Sequence, residues 1–293
     1  MNSCYRAKTL EDALQNLHQG MTPFAGGTDI MVRHMQWSGI AELNPFFIGH
    51  LQELKTIHSD DDSLTIGAAC TLTQLIGSPF IPASLKKVLA TIAAPAVRNR
   101  ATIGGNICNA SPAADTLPWL YAMDAVLTLQ SKEEKRTLPI AEFITGPGAH
   151  QCLAHELVTA VTVPHCSFSG TFHHKVAARR SNALSKLSFI GLFRQVEGIL
   201  KDIRMTFGAV GPTVIRNRDL EATCCGRTSS ELLDLVPEII GKYEEIISPI
   251  NDQRSTSDYR RTTALNLLRH FLTEVAIELS GTPNSASFLT RED

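Results

Sequence analysis

The sequence predicts an α+β protein in which a mixed N-terminal part precedes a smaller C-terminal domain. In the N-terminal part, segments with helical spacing of apolar residues alternate with short strand-like segments. In the C-terminal part, three long strand-like segments (171–178, 185–196 and 203–210) come before two helical ones. Residues 164–170 carry few periodic apolar residues and mark a seam. We therefore expect one domain over 1–168, a second over 169–281 and a polar tail over 282–293.

Local capping signals place the first elements. Leu10, Leu14 and Leu17 recur at helical spacing behind Thr9, a suitable N-cap, and Gly20 ends the run. Residues 22–25 and 46–48 are predicted strands, and residues 29–35 are a predicted helix. Further along, Thr71–Gln74 has the form of a capping box.

The middle of the chain continues this mixed pattern. Residues 64–69 alternate as in a half-buried strand. We expect helices over 84–93 and 115–123, and strands over 126–130 and 158–163. The final helices are marked by apolar residues within 232–240 and 265–279.

Two glycine-paired loops carry the functional signal: FAGGTD at residues 24–29 and TIGGN at residues 102–106. Glycine has no Cβ to hold an anion away from the main chain, and it reaches backbone angles at which successive N–H groups converge. Two such loops are able to close on one pyrophosphate, which indicates a dinucleotide. Neither loop has the Rossmann or P-loop fingerprint. Alone, each loop is equally consistent with a tight turn between a strand and a helix.

Composition excludes several functional classes. The net charge of −2 gives no electrostatic reason to expect nucleic acid or an anionic membrane as partner. No apolar run approaches the roughly 20 residues of a membrane helix, and the N-terminus lacks a signal-peptide core. We expect a cytoplasmic protein. The seven cysteines show no C-x-x-C pair, so we expect no metal site on this chain and mostly reduced thiols. No nucleophile–base motif is present, so no catalytic acid–base residue is assigned.

Several motifs in a fixed order resemble the FAD-binding subunit of the molybdenum hydroxylases, the family of xanthine dehydrogenase and its relatives. They are AGGTD (25–29), RNRATIGGNI (98–107), SPAAD (111–115), GPG (146–148) and FGAVGPT (207–213). The resemblance extends over nearly the whole chain. It implies a two-part FAD-binding domain, with subdomains of about 1–55 and 56–168, followed by an α/β domain of the CO dehydrogenase flavoprotein type.

The resemblance also implies cofactors and partners. A large partner subunit would carry molybdopterin, a small one would carry two [2Fe–2S] clusters, and this chain would carry FAD, with a dimer of heterotrimers as the assembly. Electrons would pass from the clusters through FAD to NAD⁺, and a xanthine dehydrogenase type acting on purines or N-heterocycles is the first choice. The alternatives are a stand-alone flavin oxidase and a flavin-free scaffold subunit.

The cofactor-binding residues are carried over from the family pattern. Both glycine loops, with the residues flanking the first, would hold the FAD pyrophosphate. Asp115 would contact ribose or ribityl hydroxyls, and Lys175 would lie near the isoalloxazine. Two apolar residues, Ile92 and Val158, would lie against the faces of the isoalloxazine. The implied set is Phe24, Ala25, Gly26, Gly27, Thr28, Asp29, Ile30, Ile92, Thr102, Ile103, Gly104, Gly105, Asn106, Cys108, Asp115, Val158 and Lys175.

Each assignment outside the loops has a structural alternative. Asp115 is also placed to cap a helix, and Lys175 to be a solvated strand lysine. Ile92 and Val158 are equally consistent with core packing, and Cys108 is interpreted as a packing residue rather than a redox thiol. Residues 179 and 180, both arginine, are consistent with a pyridine nucleotide phosphate, an acidic partner surface or exposed ion pairs.

Overall fold

The computed structural model describes residues 5–33, 43–179, 182–281 and 289, and the chain divides into two compact units. The first unit comprises Met1–Ile81, Ile92–Ser111 and Asp124–His165. The second comprises Pro82–Thr91, Pro112–Met123 and Cys166–Asp293. Both units are therefore assembled from segments that are separated in the sequence.

The first unit begins with a small parallel sheet in the order β1-β3-β2. Its elements are β1 (Tyr5–Arg6), α1 (Leu10–His18), β2 (Thr22–Phe24), α2 (Ile30–Arg33) and β3 (Pro45–Phe47). Thr9 caps α1 as predicted, because its side chain accepts a hydrogen bond from the Asp12 N–H. Parallel strands end at the same edge of a sheet, so the loops after β2 and β3 lie together.

A five-stranded antiparallel sheet forms the rest of the first unit, in the order β4-β5-β10-β6-β7. Its strands are β4 (Ile57–Ser59), β5 (Ser63–Gly67), β6 (Val126–Gln130), β7 (Lys135–Pro139) and β10 (Leu157–Pro164), and a separate hairpin pairs β8 (Ile144–Gly146) with β9 (Ala149–His150). Strand β6 has the predicted bounds, and β10 extends the predicted strand by one residue at each end.

Short helices connect the strands of the first unit. They are a 3₁₀ helix (Gln52–Leu54), α3 (Leu72–Gly77), α5 (Pro95–Arg98), α6 (Ile103–Cys108) and α8 (Ile140–Phe143). The predicted capping box is confirmed at the start of α3, where Thr71 and Gln74 each bond the other's backbone N–H. The second glycine loop is thus part of helix α6 itself.

The second unit is a four-stranded antiparallel sheet covered by helices. Its strands are β11 (Gly170–Ala177), β12 (Ser185–Val196), β13 (Ile199–Gly208) and β14 (Ile215–Arg216), in that spatial order. Its helices are α4 (Ala83–Ala90), α7 (Thr116–Ala122), α9 (Arg218–Cys224), α10 (Ser229–Ile246) and α11 (Ser257–Leu279). Phe189, Phe207, Tyr243 and Phe271 are at most 1% exposed and contact one another in an aromatic core.

A few predicted bounds are wrong. The helix expected over 84–93 ends at Ala90, because Ala93 adopts a positive φ of 45° that no α-helix accommodates. The strand expected over 203–210 begins at Ile199 and ends at Gly208. The predicted helix over 29–35 is present as Ile30–Arg33, and its last two positions lie outside the described residues. Within the described chain, no helix is both long and apolar enough to cross a bilayer.

Candidate functional site

The first glycine loop joins β2 to α2 and has a conformation that requires glycine. Gly27 has φ +73°, and a Cβ there would lie 2.3 Å from the ring of Phe24. A Cβ on Gly26 would lie 1.9 Å from the carbonyl oxygen of Arg100. Larger residues are therefore excluded at Gly27 by its backbone angle and at Gly26 by the close approach of another backbone segment.

The same loop presents a run of unused donors. No described residue accepts a hydrogen bond from the backbone N–H groups of residues 26, 27, 28, 29 or 30. The carbonyls of this segment are used, since Gly27 O and Asp29 O accept from Met31 and Arg33 at 2.9 and 3.1 Å. These residues are partly exposed and lead into helix α2, whose first N–H groups have no partner within the helix, so the segment is able to donate to an acceptor-rich group such as a phosphate.

The second loop is built differently, and the expectation of bare N–H donors there is wrong. Helix α6 starts inside it, with Thr102 as N-cap accepting from the Gly105 N–H at 3.1 Å. The Gly104 N–H donates to Ala68 O at 2.9 Å, and the N–H groups of Ile103 and Asn106 donate to Cys70 O and Thr102 O. The physical reason is that the loop docks on the segment after β5, where the carbonyls of Ala68 and Cys70 accept two of the donors, while Thr102 accepts the other two. What remains open at Gly105 is an exposed Cα with no side chain.

The structure brings the two loops together within the first unit. Gly26 lies against the backbone of Arg100, two residues before Thr102. Asn109, just after α6, donates to the Asp29 carboxylate at 3.2 Å, and Arg33 Nε pairs with that carboxylate at 2.8 Å. Arg33 also bonds the Asn109 side-chain oxygen. These contacts fix the helix that follows the first loop to the helix that contains the second.

Asp115 and Lys175 form a buried ion pair in the second unit. Lys175 Nζ lies 2.7 Å from Asp115 Oδ2, and the two side chains are 9% and 6% exposed. Lys175 Nζ also donates to Thr91 O at 2.9 Å, and Ser185 Oγ donates to Asp115 Oδ1. The lysine is thus not a solvated strand residue. Asp115 stands at the N-cap position of α7, but its side chain makes no capping bond, so the helix-cap alternative is also wrong.

Thr91 and Ser185 are partners that sequence reasoning missed. Thr91 is separated from Lys175 by 84 residues and Ser185 from Asp115 by 70. A serine at the start of a long strand and a threonine after a helix carry no local signal of such a role. Each Asp115 oxygen retains a further lone pair, so these bonds leave the carboxylate able to accept from a hydroxyl as well.

His173, two positions before Lys175 on β11, is a further residue that sequence reasoning missed. Its Nε2 is buried and has no hydrogen-bond partner among the described residues. Burial, reinforced by the nearby positive groups His174, Lys175 and Lys87, lowers the pKa of His173 to about 4. The imidazole is therefore neutral at pH 7, next to the ion pair.

The remaining predicted residues are placed as follows. Val158 is 4% exposed, inside β10 of the five-stranded sheet, and Ile92 is half-buried with its carbonyl bonded to Arg98 at 2.7 Å. Cys108 is half-buried, and desolvation raises the pKa of its thiol to about 12, which keeps it protonated at neutral pH. Phe24 is buried, whereas Ala25, Thr28, Ile30 and Asn106 are partly exposed.

Other sequence candidates are resolved more simply. Arg179 bonds Asn182 O within its own loop at 2.8 Å, and Arg180 lies outside the described residues. Cys224 and Cys225 are both free thiols. Among the residues that the structure describes, no group of three His, Cys, Asp or Glu side chains is placed to hold a metal ion.

Comparison with known proteins decides the family. Residues 1–166, more than half of the chain, match the family described as the FAD binding domain in molybdopterin dehydrogenase. The chain belongs to this family. Residues 172–275 match the CO dehydrogenase flavoprotein C-terminal domain. The chain is therefore an FAD-binding oxidoreductase subunit of the molybdenum hydroxylase family, in agreement with the resemblance found in the motifs.

Individual relatives are similar over nearly their full length. The chain is 29% identical to the xanthine dehydrogenase FAD-binding subunit of Escherichia coli O157:H7, over 95% of this chain and 97% of that protein. It is 28% identical to the glyceraldehyde dehydrogenase medium chain of Sulfolobus acidocaldarius, with 94% and 98% coverage. A structure of carbon monoxide dehydrogenase from Hydrogenophaga pseudoflava matches this flavoprotein subunit with a TM-score of 0.83 at 25% identity, over 91% of this chain and 94% of that one.

Proposed function

We propose that this chain holds FAD between iron–sulfur clusters on a partner subunit and NAD⁺ as electron acceptor, in a xanthine dehydrogenase-type enzyme. The observation that carries the proposal is the run of backbone N–H groups over residues 26–30 that have no hydrogen-bond partner among the residues that the structure describes. A diphosphate offers acceptor oxygens for several of these donors at once. Hydrogen bonds to a charged group contribute roughly 1.5–3 kcal/mol each, so a few of them account for tight retention of the cofactor.

The residues present fit FAD in both units. In the first, the glycines of residues 26–27 keep the loop backbone accessible, and Thr28 adds a hydroxyl. In the second, the Asp115 carboxylate retains acceptor capacity for sugar or ribityl hydroxyls, and Lys175 supplies a fixed cation. Bound FAD supplies one- and two-electron redox chemistry, while the protein supplies binding, orientation and electrostatics.

The role of this chain is thus to bind and orient rather than to transfer protons. The cation of Lys175 is held by two oxygens, Thr91 O and Asp115 Oδ2, so it remains in place without being solvated. A fixed positive charge favours an anionic neighbour through simple charge complementarity. The other proposed cofactor neighbours, Ile92, Val158 and Cys108, contribute apolar surface that excludes water.

Partners and substrate are also part of the proposal. The names of the relatives, an FAD-binding subunit and a medium chain, support the presence of partner subunits. The proposed partners are a molybdopterin-binding large subunit and a [2Fe–2S] small subunit, and the proposed assembly is a dimer of heterotrimers. Similarity to a xanthine dehydrogenase subunit supports purines or related N-heterocycles as the substrate class of the large partner. The mixed charge and pI of about 6.6 are consistent with a cytoplasmic location.

The central experiment measures flavin content in the purified chain. We expect the wild-type chain to show bound-flavin absorbance and Gly105→Val to lose it, because Gly105 is exposed and a side chain there covers the second loop. A Cβ at this position would lie 2.9 Å from Thr102 Oγ1, so the hydroxyl has to shift slightly, and the melting temperature of the variant is measured to verify that it folds. Gly77→Val is the matched control, since Gly77 is also an exposed glycine in a helix and has open space around it. Full flavin occupancy in Gly105→Val would show that the loop assignment is wrong.

Two further measurements separate the alternatives. Anaerobic reduction of the bound flavin by NADH is expected if NAD⁺ is the acceptor, whereas no reduction would point to a different acceptor. Co-purification with a molybdopterin chain and a [2Fe–2S] chain is expected for an electron-transfer subunit. Oxidase activity of the isolated chain would instead favour the stand-alone enzyme, and absence of flavin from the wild-type chain would favour the scaffold.

A further inference from the structure

Three large apolar side chains of the second unit are exposed and lie outside the residues assigned to FAD. Leu184 directly precedes β12, Ile250 lies in the loop between α10 and α11, and Tyr259 lies in the first turn of α11. Their exposed fractions are 67%, 69% and 46%. Scattered exposed apolar residues are ordinary on a protein surface, whereas a contiguous group of them marks an interaction site.

A β-bulge places Leu184 near Tyr259. The register between β11 and β12 shifts at residues 185–187, where Lys186 is the extra residue on β12. The Lys186 Nζ lies over the Tyr259 ring, 5.1 Å from the ring centroid, which is within the range of a cation–π interaction. Because Leu184 is two residues before Lys186, this contact fixes the start of β12 beside the first turn of α11.

Arg260, which directly follows Tyr259, holds the loop that carries Ile250. The Arg260 side chain is 3% exposed; its Nη1 donates to Ile250 O at 3.3 Å, and its Nη2 pairs with Asp252 Oδ1 at 2.6 Å. The Asp252 carboxylate also accepts from two backbone N–H groups of its own loop. Ile250 and Tyr259 are therefore held in a fixed arrangement by the same helical turn. A preorganised surface loses less conformational entropy on binding than a mobile one.

The surroundings of these side chains are basic. We refer to Leu184, Lys186, Ile250 and Tyr259 as the Tyr259 surface. The two segments that form it, residues 178–186 and 248–261, contain six Lys or Arg side chains and two Asp, in a chain whose net charge is −2. Asp252 is neutralised by Arg260, which leaves the exposed Asp258 as the other carboxylate of these segments. Four cations of these segments form no ion pair with a described residue: Arg179, Lys186, Arg254 and Arg261. The surface thus has an apolar centre and a positively charged rim.

This combination favours one class of occupant over two others. In a closed dimer, a second copy would present the same surface across a two-fold axis, so the cations of one copy would face those of the other. A nucleic acid would leave the aliphatic side chains of Leu184 and Ile250 without partners, and the net charge of −2 is unlike that of nucleic-acid-binding domains. An apolar centre that includes Tyr, surrounded by a polar rim with Arg, has the composition of an interface with a different protein.

We propose that the Tyr259 surface docks a partner subunit whose facing surface has an apolar centre and a carboxylate-rich rim. In this complex, Leu184, Ile250 and Tyr259 are buried at the centre of the contact, where loss of an aromatic side chain costs most. The cations at the rim face Asp or Glu side chains and accelerate the encounter of the two chains. That the partner is a subunit of the same enzyme rests on the proposed function, whereas the surface itself is defined by the contacts of Lys186 and Arg260.

The test uses the chain co-expressed with the molybdopterin chain and the [2Fe–2S] chain with which it is expected to co-purify. We expect Tyr259→Asp and Ile250→Asp each to weaken assembly about tenfold, because each puts a negative charge on a surface that meets carboxylates. Leu233→Asp is the matched control, since Leu233 is 46% exposed, as Tyr259 is, and lies on α10. Its assembly should stay within about twofold of wild type. Assembly of the wild-type chain should also weaken as salt is added, because salt screens the charges of the rim.

A second measurement is hydrogen exchange of residues 248–261 in the isolated chain and in the complex, where we expect protection on assembly. The proposal is overturned if both aspartate variants assemble as Leu233→Asp does, or if this segment exchanges equally fast in the two states. It is also overturned if the isolated wild-type chain forms a homodimer that Tyr259→Asp abolishes, or if NADH alone protects the segment.

The same samples separate this proposal from the proposed function. Failure of the wild-type chain to assemble with either partner chain would contradict the proposed partners and the docking surface together. Wild-type assembly that neither aspartate variant weakens would contradict the docking surface alone. Flavin absorbance reports FAD binding independently of assembly, and melting temperatures verify that the variants fold.

Discussion

Breaking the buried ion pair between Lys175 and Asp115 is expected to destabilise the second unit strongly. We consider Lys175→Met, Asp115→Asn and the double variant that carries both changes. Methionine has a length similar to that of lysine and no charge, and asparagine has the shape of aspartate, so each substitution removes charge with little change in packing. With side chains only 9% and 6% exposed, a charge left behind by a single change has little water to solvate it.

The magnitude follows from that uncompensated charge. Removing one partner of a buried pair costs about 3–5 kcal/mol, whereas removing both is often nearly neutral. In Lys175→Met the Asp115 carboxylate keeps only the Ser185 hydroxyl, and in Asp115→Asn the ammonium keeps Thr91 O and an amide oxygen. At the lower bound of about 3 kcal/mol, each single variant is expected to lower Tm by roughly 6–12 °C. The double variant should recover at least half of that loss.

The assay is thermal unfolding of the flavin-free chain, so that loss of a bound ligand does not contribute to the shift. Lys201→Met is the matched control, since Lys201 is an exposed lysine on β13 of the same sheet. Flavin occupancy of the wild-type chain, the two single variants and the double variant is then measured by visible absorbance. If Lys175 and Asp115 also contact FAD, the double variant regains stability but not flavin.

Two results would refute this reasoning. A Tm shift for Lys175→Met no larger than that for Lys201→Met would mean that the lysine is solvated and that the pair is not buried. A double variant as unstable as the sum of the single ones would mean that the two charges do not interact. A double variant that regains both stability and full flavin content would leave the pair a structural feature and remove both residues from the proposed FAD site.

Three other perturbations test separate parts of the structure. Gly26→Ala should lower Tm and soluble yield, because its Cβ would lie 1.9 Å from the carbonyl oxygen of Arg100, so that one of the two backbone segments has to shift. Burial lowers the pKa of His173 to about 4 in the folded chain, compared with 6.5 for an exposed histidine. Between pH 6.5 and 4, His173 therefore binds a proton in the unfolded chain but not in the folded one. His173 alone should then contribute a fall of at most about 1.4 kcal/mol per pH unit down to pH 4 to the stability measured by urea unfolding, and His173→Gln should remove that contribution. The hydrogen bond from Arg260 lowers the pKa of Asp252 from 3.8 to about 2. The ionised Asp252 carboxylate therefore stabilises the folded chain above pH 4, and this contribution is lost as the pH falls to 2. Asp252→Asn should remove this part of the loss of stability in acid.

Features fixed by neighbouring residues were predictable from the sequence. The caps at Thr9 and Thr71 depend on side chains and N–H groups three positions apart, and both are present as predicted. Strand β12 has the predicted bounds of Ser185–Val196, because its alternating apolar residues and flanking polar ones are local signals. Five motifs in a fixed order, the two glycine loops among them, were together sufficient to indicate the family, which the comparison with known proteins confirms. The domain boundary near residue 168 stays a prediction.

Features that depend on distant residues were not predictable. The Lys175–Asp115 bond joins positions 60 residues apart, and its partners Ser185 and Thr91 come from two further segments. Neither helical spacing nor a capping signal in the sequence indicates that a lysine in a strand is buried. The burial of the His173 Nε2 atom was likewise not predictable, because it depends on segments that are distant in the sequence.

The two glycine loops show why a shared motif does not imply a shared use of the backbone. In the first loop, Gly27 takes a positive φ and Gly26 lies against another backbone, and the donors of residues 26–30 have no partner in the part of the chain that the structure describes. In the second, Gly104 allows helix α6 to pack on Ala68, where a Cβ would lie 2.6 Å from the Ala68 Cβ, and the donors go to Ala68 O, Cys70 O and Thr102. If FAD binds as proposed, its diphosphate would therefore accept mainly from the first loop, and the second would contribute shape through Gly105. It follows that a bulky residue at Gly105 should block the cofactor sterically without altering any donor of the first loop.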